Sequence, residues 1–169
     1  MFSEYSFGLA SSGDEEEILR LYHGLIGTPG CTWHLEYPGM EDIRSDIAKS
    51  SLYCLRDEAG RIITVAAAGA DDELEHDGIP WDARMKKPCD LARIGVPAEH
   101  QRKGLATLIM TRLMADVQKR GFDGIRMLVS RTNPPALNLY KKMGFTCCGE
   151  IYKYGVDFYC YEIVFGQKG

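Results

Sequence analysis

Two short stretches hold the residue types and spacings that could do chemistry. The first is "QRKGLA", Gln101 to Ala106, which puts two cations and a glycine where a strand-like run hands over to a long amphipathic one. A helix N-terminus leaves backbone N–H groups unpaired and carries a partial positive charge, and glycine lets a phosphate come close to the backbone, so this order suggests a diphosphate cradle. The stretch lacks G-x-x-x-x-G-K-[ST] and G-x-G-x-x-G, which argues against a P-loop NTPase and a Rossmann dinucleotide site. The second is "NPPALNLYKKMGF", Asn133 to Phe145. Asn133 followed by two prolines reads as a helix N-cap, Gly144 as the C-cap after Lys141 and Lys142, and Phe145 as core. The four histidines show no metal-ligand spacing, and no metal is expected. The six cysteines show no C-x-x-C pair and read as reduced residues, mostly in the core.

Alternating elements must position these stretches. "YSFGLA" reads as a first strand, and Ser12 with Glu15 as a capping box for a helix with an acidic first turn that ends near Gly27, Pro29 and Gly30. A short helix follows over 40–49, with Ile43 and Ile47 on one face. "SLYCLRDEAGRIITVAAAGA" is a hairpin, and residues 71–88 form a long polar connection. "CDLARIGV" is a fourth strand. The helix after QRKGLA carries Leu105, Ile109, Leu113 and Val117 at spacings of four. "GIRMLV", the helix "PPALNLYKKM" and two last strands around Gly155 complete the chain. Without repeats or a Pro- or Ser-rich linker, residues 1–169 read as one α/β domain built on a mixed sheet.

Together the two stretches resemble the GCN5-related N-acetyltransferase (GNAT) superfamily, in particular its small bacterial single-domain members. Gln101, Gly104 and Ala106 match the family's Q/R-x-x-G-x-G/A motif. Asn133, Ala136, Tyr140, Gly144 and Phe145 match its later N-x-x-A-x-x-x-Y-x-x-x-G-F pattern, and upstream "TWHLEYPGM" looks like its W-x-x-x-Y-P segment. The resemblance implies about seven mostly antiparallel strands with a splayed fourth and fifth pair, flanked by about four helices. It implies acetyl-CoA as co-substrate, the pantetheine arm lying along Ile94, Gly95 and Val96. The pyrophosphate would lie on the turn from Gln101 through Arg102, Lys103, Gly104, Leu105 and Ala106, with Asn133 turned toward the cofactor.

The implied reaction moves an acetyl group to a primary amine by direct attack in a ternary complex. A lysine-like amine has a pKa of about 10.4, and stripping its proton at pH 7 costs roughly 4.6 kcal/mol, so a base can help. Tyr140 occupies the family's general-acid position. Asp90 lies eleven residues before Gln101, where histone-acetylating members place their catalytic glutamate, with Glu36 and Glu99 as alternatives. A strand-four N–H near Ile94 would serve the oxyanion. Trp33, Tyr37 and the Tyr-rich end could line the acceptor site, and the acidic run Asp71 to Asp77 could attract a cationic acceptor. The rival reading is a catalytically silent acyl-CoA-binding regulatory module.

Composition sets the remaining bounds. At 45% apolar and 26% charged residues the chain is that of a soluble globule, without a membrane-length apolar run or a signal-peptide pattern, so cytoplasm is the expected location. The net charge of −4 is uneven: residues 101–142 carry nine Lys or Arg against two Asp, a net of +7, leaving −11 elsewhere. A basic third suits a phosphorylated small molecule. It offers few aromatics for stacking beyond Phe122 and Tyr140, so no nucleic-acid partner is expected, and no membrane partner. A homodimer through the Tyr- and Cys-rich final strands is compatible with the family, although core strands would look the same.

Overall fold

A computed structural model describes residues 4–71 and 73–166, the side chain of His76 excepted. Seven strands, β1 (Ser6–Leu9), β2 (Leu52–Arg56), β3 (Ile62–Gly69), β4 (Pro88–Gly95), β5 (Gly124–Ser130), β6 (Thr146–Lys153) and β7 (Val156–Val164), form one sheet in the order β1-β2-β3-β4-β5-β7-β6. Among the described residues four α-helices, α1 (Glu15–Leu25), α2 (Met40–Ala48), α3 (Leu105–Lys119) and α4 (Pro134–Lys142), cover it. All strand pairs are antiparallel except β4 with β5. This is the mixed α/β sheet that the sequence leads one to expect.

Side-chain alternation sorts the strands' apolar residues onto two faces. On one, Ala66, Ala68, Cys89, Leu91, Ile125 and Met127 meet the apolar stripe of α3 and the inner face of α4. Leu105, Ile109, Leu113 and Val117 are all buried there, as their spacing predicts. On the other, Val65 and Ala67 meet Ile18, Leu21 and Tyr22 of α1 and Ile43 of α2.

Two expectations are corrected. The capping box is made by Ser11 and Asp14, not by Ser12 and Glu15, and it caps the 3₁₀ turn Ser12–Asp14 that leads into α1; the N-cap position of α1 itself is Asp14, which makes no side-chain cap bond. The Ser11 N–H donates to Asp14 Oδ2 at 2.8 Å, and the same oxygen accepts from Arg56 Nη2 at 2.7 Å. Among the cysteines, all six are free, but Cys147 on the outermost strand β6 is exposed.

Candidate active site

The β4–β5 ladder is short. It pairs Pro88 with Gly124, Cys89 with Ile125 and Asp90 with Arg126, and then stops, although β4 runs on to Gly95 and β5 to Ser130. Beyond that rung the strands part, and the facing backbone groups of both lack a neighbouring strand. A cleft of about 370 Å³ fills the gap. Its walls are Ile94, Gly95 and Val96 of β4, Met127 to Ser130 of β5, residues 28–33 of the α1–α2 loop, and Asn133, Ala136 and Tyr140 of α4.

Backbone conformation explains the mouth of the cleft. Arg102 and Gly104 both hold left-handed φ values, 65° and 75°, and Gly104 is the N-cap of α3. A side chain at Gly104 would be strained, and its absence exposes the first-turn N–H groups that no acidic residue occupies. Gln101 donates from Nε2 to the Val96 carbonyl at 3.0 Å, tying this turn to the end of β4. Arg102 and Lys103 are exposed, whereas Leu105 is buried and anchors the helix in the core. Gln101 and Ala106 line the cleft; Arg102, Lys103, Gly104 and Leu105 stand beside it.

Tyr140 sits at the floor, 2% exposed, edge-on to Phe145. Burial pushes its phenol above the ordinary tyrosine range, so it holds its proton at neutral pH. Asn133 does two things at once. Its Oδ1 caps α4 by accepting from the Ala136 N–H at 3.4 Å, and its side chain also borders the cleft. There it touches the α1–α2 loop, since a Cβ on Gly30 would lie 3.0 Å from its amide group.

On the α1 side of β4, Arg93 has a left-handed φ of 50° within the strand, beside a shift in the β3–β4 register. This bulge aims its guanidinium at α2, where Nε and Nη2 donate to both Asp46 oxygens at 3.0 and 2.7 Å. Nη1 donates to the Tyr37 hydroxyl at 3.1 Å. Burial raises the Asp46 carboxyl, with Arg93 opposing it. Trp33 lines the cleft, edge-on to Tyr22; Tyr37 does not line it and reaches it only through Arg93.

Asp90 is placed differently from the expectation of a base facing the acceptor. It is buried, does not line the cleft, and accepts from Arg126 Nε and Nη2 at 2.8 and 3.1 Å. Burial pushes its carboxyl up to about 6, with the guanidinium pulling the other way. Glu36 and Glu99 are exposed and stand outside the cleft. The acidic run Asp71–Asp77 is partly neutralised: Lys153 Nζ lies 2.7 Å from Asp77 and 3.6 Å from Glu73. Asp72 of that run lies outside the described residues.

A family model described as "Acetyltransferase (GNAT) family" matches residues 18–145. The chain belongs to the GNAT acetyltransferase family. Solved structures agree at the level of fold. An acetyltransferase of the GNAT family from Streptococcus agalactiae superposes with a TM-score of 0.80 at 19% identity, covering 99% of both chains. The yncA protein of Salmonella typhimurium, solved with its cofactor acetyl-CoA, gives 0.72 at 17% identity over 99% of this chain and 97% of that one. In sequence, phosphinothricin N-acetyltransferase of Streptomyces viridochromogenes is 28% identical over 81 residues, 45% of this GNAT chain and 44% of that protein. The chain thus spans less than half the length of that relative. No helix of the described residues is long and apolar enough to cross a membrane.

Several wall residues of this GNAT cleft carry no sequence signal of their own. Leu128, Ser130 and Phe158 read simply as strand residues, and only sheet order brings β7 beside β5. Thr28 to Thr32 read as a helix-ending loop, and nothing in the one-dimensional pattern says that it crosses to α4. The left-handed bulge at Arg93 is equally silent, because arginine has no preference for that conformation.

Proposed function

We infer that the chain is an acetyl-CoA-dependent N-acetyltransferase of one domain, in which a primary amine attacks directly while both substrates are bound. The observation that carries this reading is the cleft itself: unpaired strand edges, a free helix N-terminus at its mouth and a neutral phenol at its floor. Acetyl-CoA supplies an activated acyl carbon and a thiol leaving group. The residues fit it. The edge of Ile94, Gly95 and Val96 can pair with an amide-containing arm as with an added strand, and the amides from Arg102 to Ala106 can receive a diphosphate. Arg102 and Lys103 add charge there, while Gln101 and Leu105 hold the turn and Asn133 borders the arm.

The Ile94 N–H is the donor for charge developing on the acyl oxygen, and Tyr140 donates its proton to the departing thiolate. Asp90, whose two oxygens are taken by Arg126, is not assigned the amine's proton; water at the open face takes that role. The acceptor is a small-molecule or peptide amine approaching past Trp33 and Tyr37. Calorimetric titration with acetyl-CoA tests the reading. Wild type is expected to bind in the micromolar range and Gly104→Glu to lose binding, after which a panel of a polyamine, an amino acid, an aminoglycoside and a peptide identifies the acceptor. Absence of binding by folded wild type would reject the reading, and binding without acetylation of any amine would favour the silent acyl-CoA-binding module.

A further inference from the structure

The connection between β3 and β4 is far longer than two neighbouring antiparallel strands require, where 2–5 residues suffice. Residues 70–71 and 73–87 instead leave β3, reach across the sheet and return. Their anchors lie on three other strands. On β5, Arg126 Nη2 donates to the Asp71 carbonyl at 3.4 Å, lies 3.9 Å from Glu75 Oε1, and the guanidinium stacks 5.6 Å from the Trp81 ring. On β7, Glu162 accepts from the Asp82 N–H at 2.7 Å. On β6, Lys153 holds Asp77.

The face on which this strap lies follows from alternation. Arg126 stands between Ile125 and Met127, which both point into the α3 core, so Arg126 points to the opposite face, the one that α1 and α2 cover over β1 to β4. That face therefore has two covers with a gap between them. Leu128, two residues beyond Arg126 and on the same face, lines the cleft within the gap. The α3 face is closed by its core, so the cleft opens on the face that carries both Trp33, which lines it, and the strap, none of whose described residues does.

The geometry points to Arg126 as a positioning residue of the acetyl-transfer site: held by Asp90, it seats the strap beside the acceptor's approach to the cleft. This rests on the N-acetyltransferase reading above. Arg126 is 4% exposed and binds Asp90 and the strap at once. Asp90 then acts through Arg126, not on the amine.

The test uses Arg126→Met, the double Asp90→Asn/Arg126→Met variant, which removes both members of the buried ion pair, and Trp81→Leu, which keeps that pair and removes the ring on which the guanidinium stacks. Hydrogen exchange is followed in peptides covering 73–87, acetyl-CoA affinity by calorimetry, and kinetics with the panel amine that wild type acetylates fastest. Faster exchange in 73–87 is expected in all three. The KM for the amine should rise about tenfold or more, with acetyl-CoA affinity within about twofold of wild type. Arg126→Lys should restore part of the amine KM. Unchanged exchange in 73–87 would overturn the proposal. So would a loss of acetyl-CoA affinity equal to the loss for the amine, because Arg126 would then shape the cleft as a whole. If wild type itself bound no acetyl-CoA, the underlying reading would fall and this proposal with it; an active wild type with an unmoved amine KM would sink this proposal alone.

Discussion

A phenol buried among apolar side chains keeps its proton, and a proton held at neutral pH is what a departing thiolate needs. Tyr140 has that setting, raised by burial alone. Tyr140→Phe keeps the ring and its contact with Phe145, so the fold should melt within a few degrees of wild type. Its kcat should fall by about 10²–10⁴, read by steady-state acetylation of the best panel amine. The buried carboxylate of Asp90 makes a separate prediction about pH. Its carboxyl is raised from 3.8 to about 6, so the folded state holds that proton more tightly than the unfolded chain does. The contribution is full below the unfolded value and is lost as pH rises through about 6. The stability of wild type minus that of Asp90→Asn should therefore shrink by ~3 kcal/mol between about pH 4 and pH 7, measured by urea unfolding. A difference that grows with pH would mean that Arg126 outweighs desolvation.

At the scale of elements, the site depends on how α2 is held against β4. The join is the bidentate pair of Arg93 and Asp46, whose side chains are 17% and 8% exposed. The strand pays for it with a left-handed residue at Arg93, a conformation costing about 1–3 kcal/mol that persists only where surroundings impose it. Asp46→Ala strands the guanidinium in the protein interior and should cost about 3–5 kcal/mol, read as a lowered urea midpoint. The same variant should also release the α1–α2 loop, because Tyr37 is tied to that guanidinium. Faster hydrogen exchange over 31–39 would show it, and protection equal to wild type there would mean that the loop is held by Gly30 against Asn133 instead. The splay between β4 and β5 belongs to this scale as well: three rungs pair, and the bulge at Arg93 carries the rest of β4 away.

For the whole molecule, two cores lie on opposite faces of one sheet, and strands β2 and β3 send side chains into both. We propose on that ground that the chain unfolds as a single cooperative unit. Ile18→Ala in one core and Ile109→Ala in the other, both residues fully buried, should each cost about 2–5 kcal/mol and move the same calorimetric transition. Two separated transitions would refute one domain. Much of this arrangement is legible in the sequence, because it rests on local rules. Apolar spacing of four marks α3, alternation marks the strands, and Gly104 and Asn133 mark helix starts through backbone needs that few residues meet. The left-handed turn at Gly104 and the Tyr140 helix are therefore readable from neighbours in the chain. What tertiary structure alone decides is which distant groups share a volume: that Asp90 meets Arg126 and not the cleft, that Gly30 reaches Asn133, and that the acidic connection folds over β5 and β7. These outcomes turn on sheet order, on a bulge without a residue preference and on which side of a strand a charge lands. A one-residue change in register would reverse that last choice without altering any local pattern.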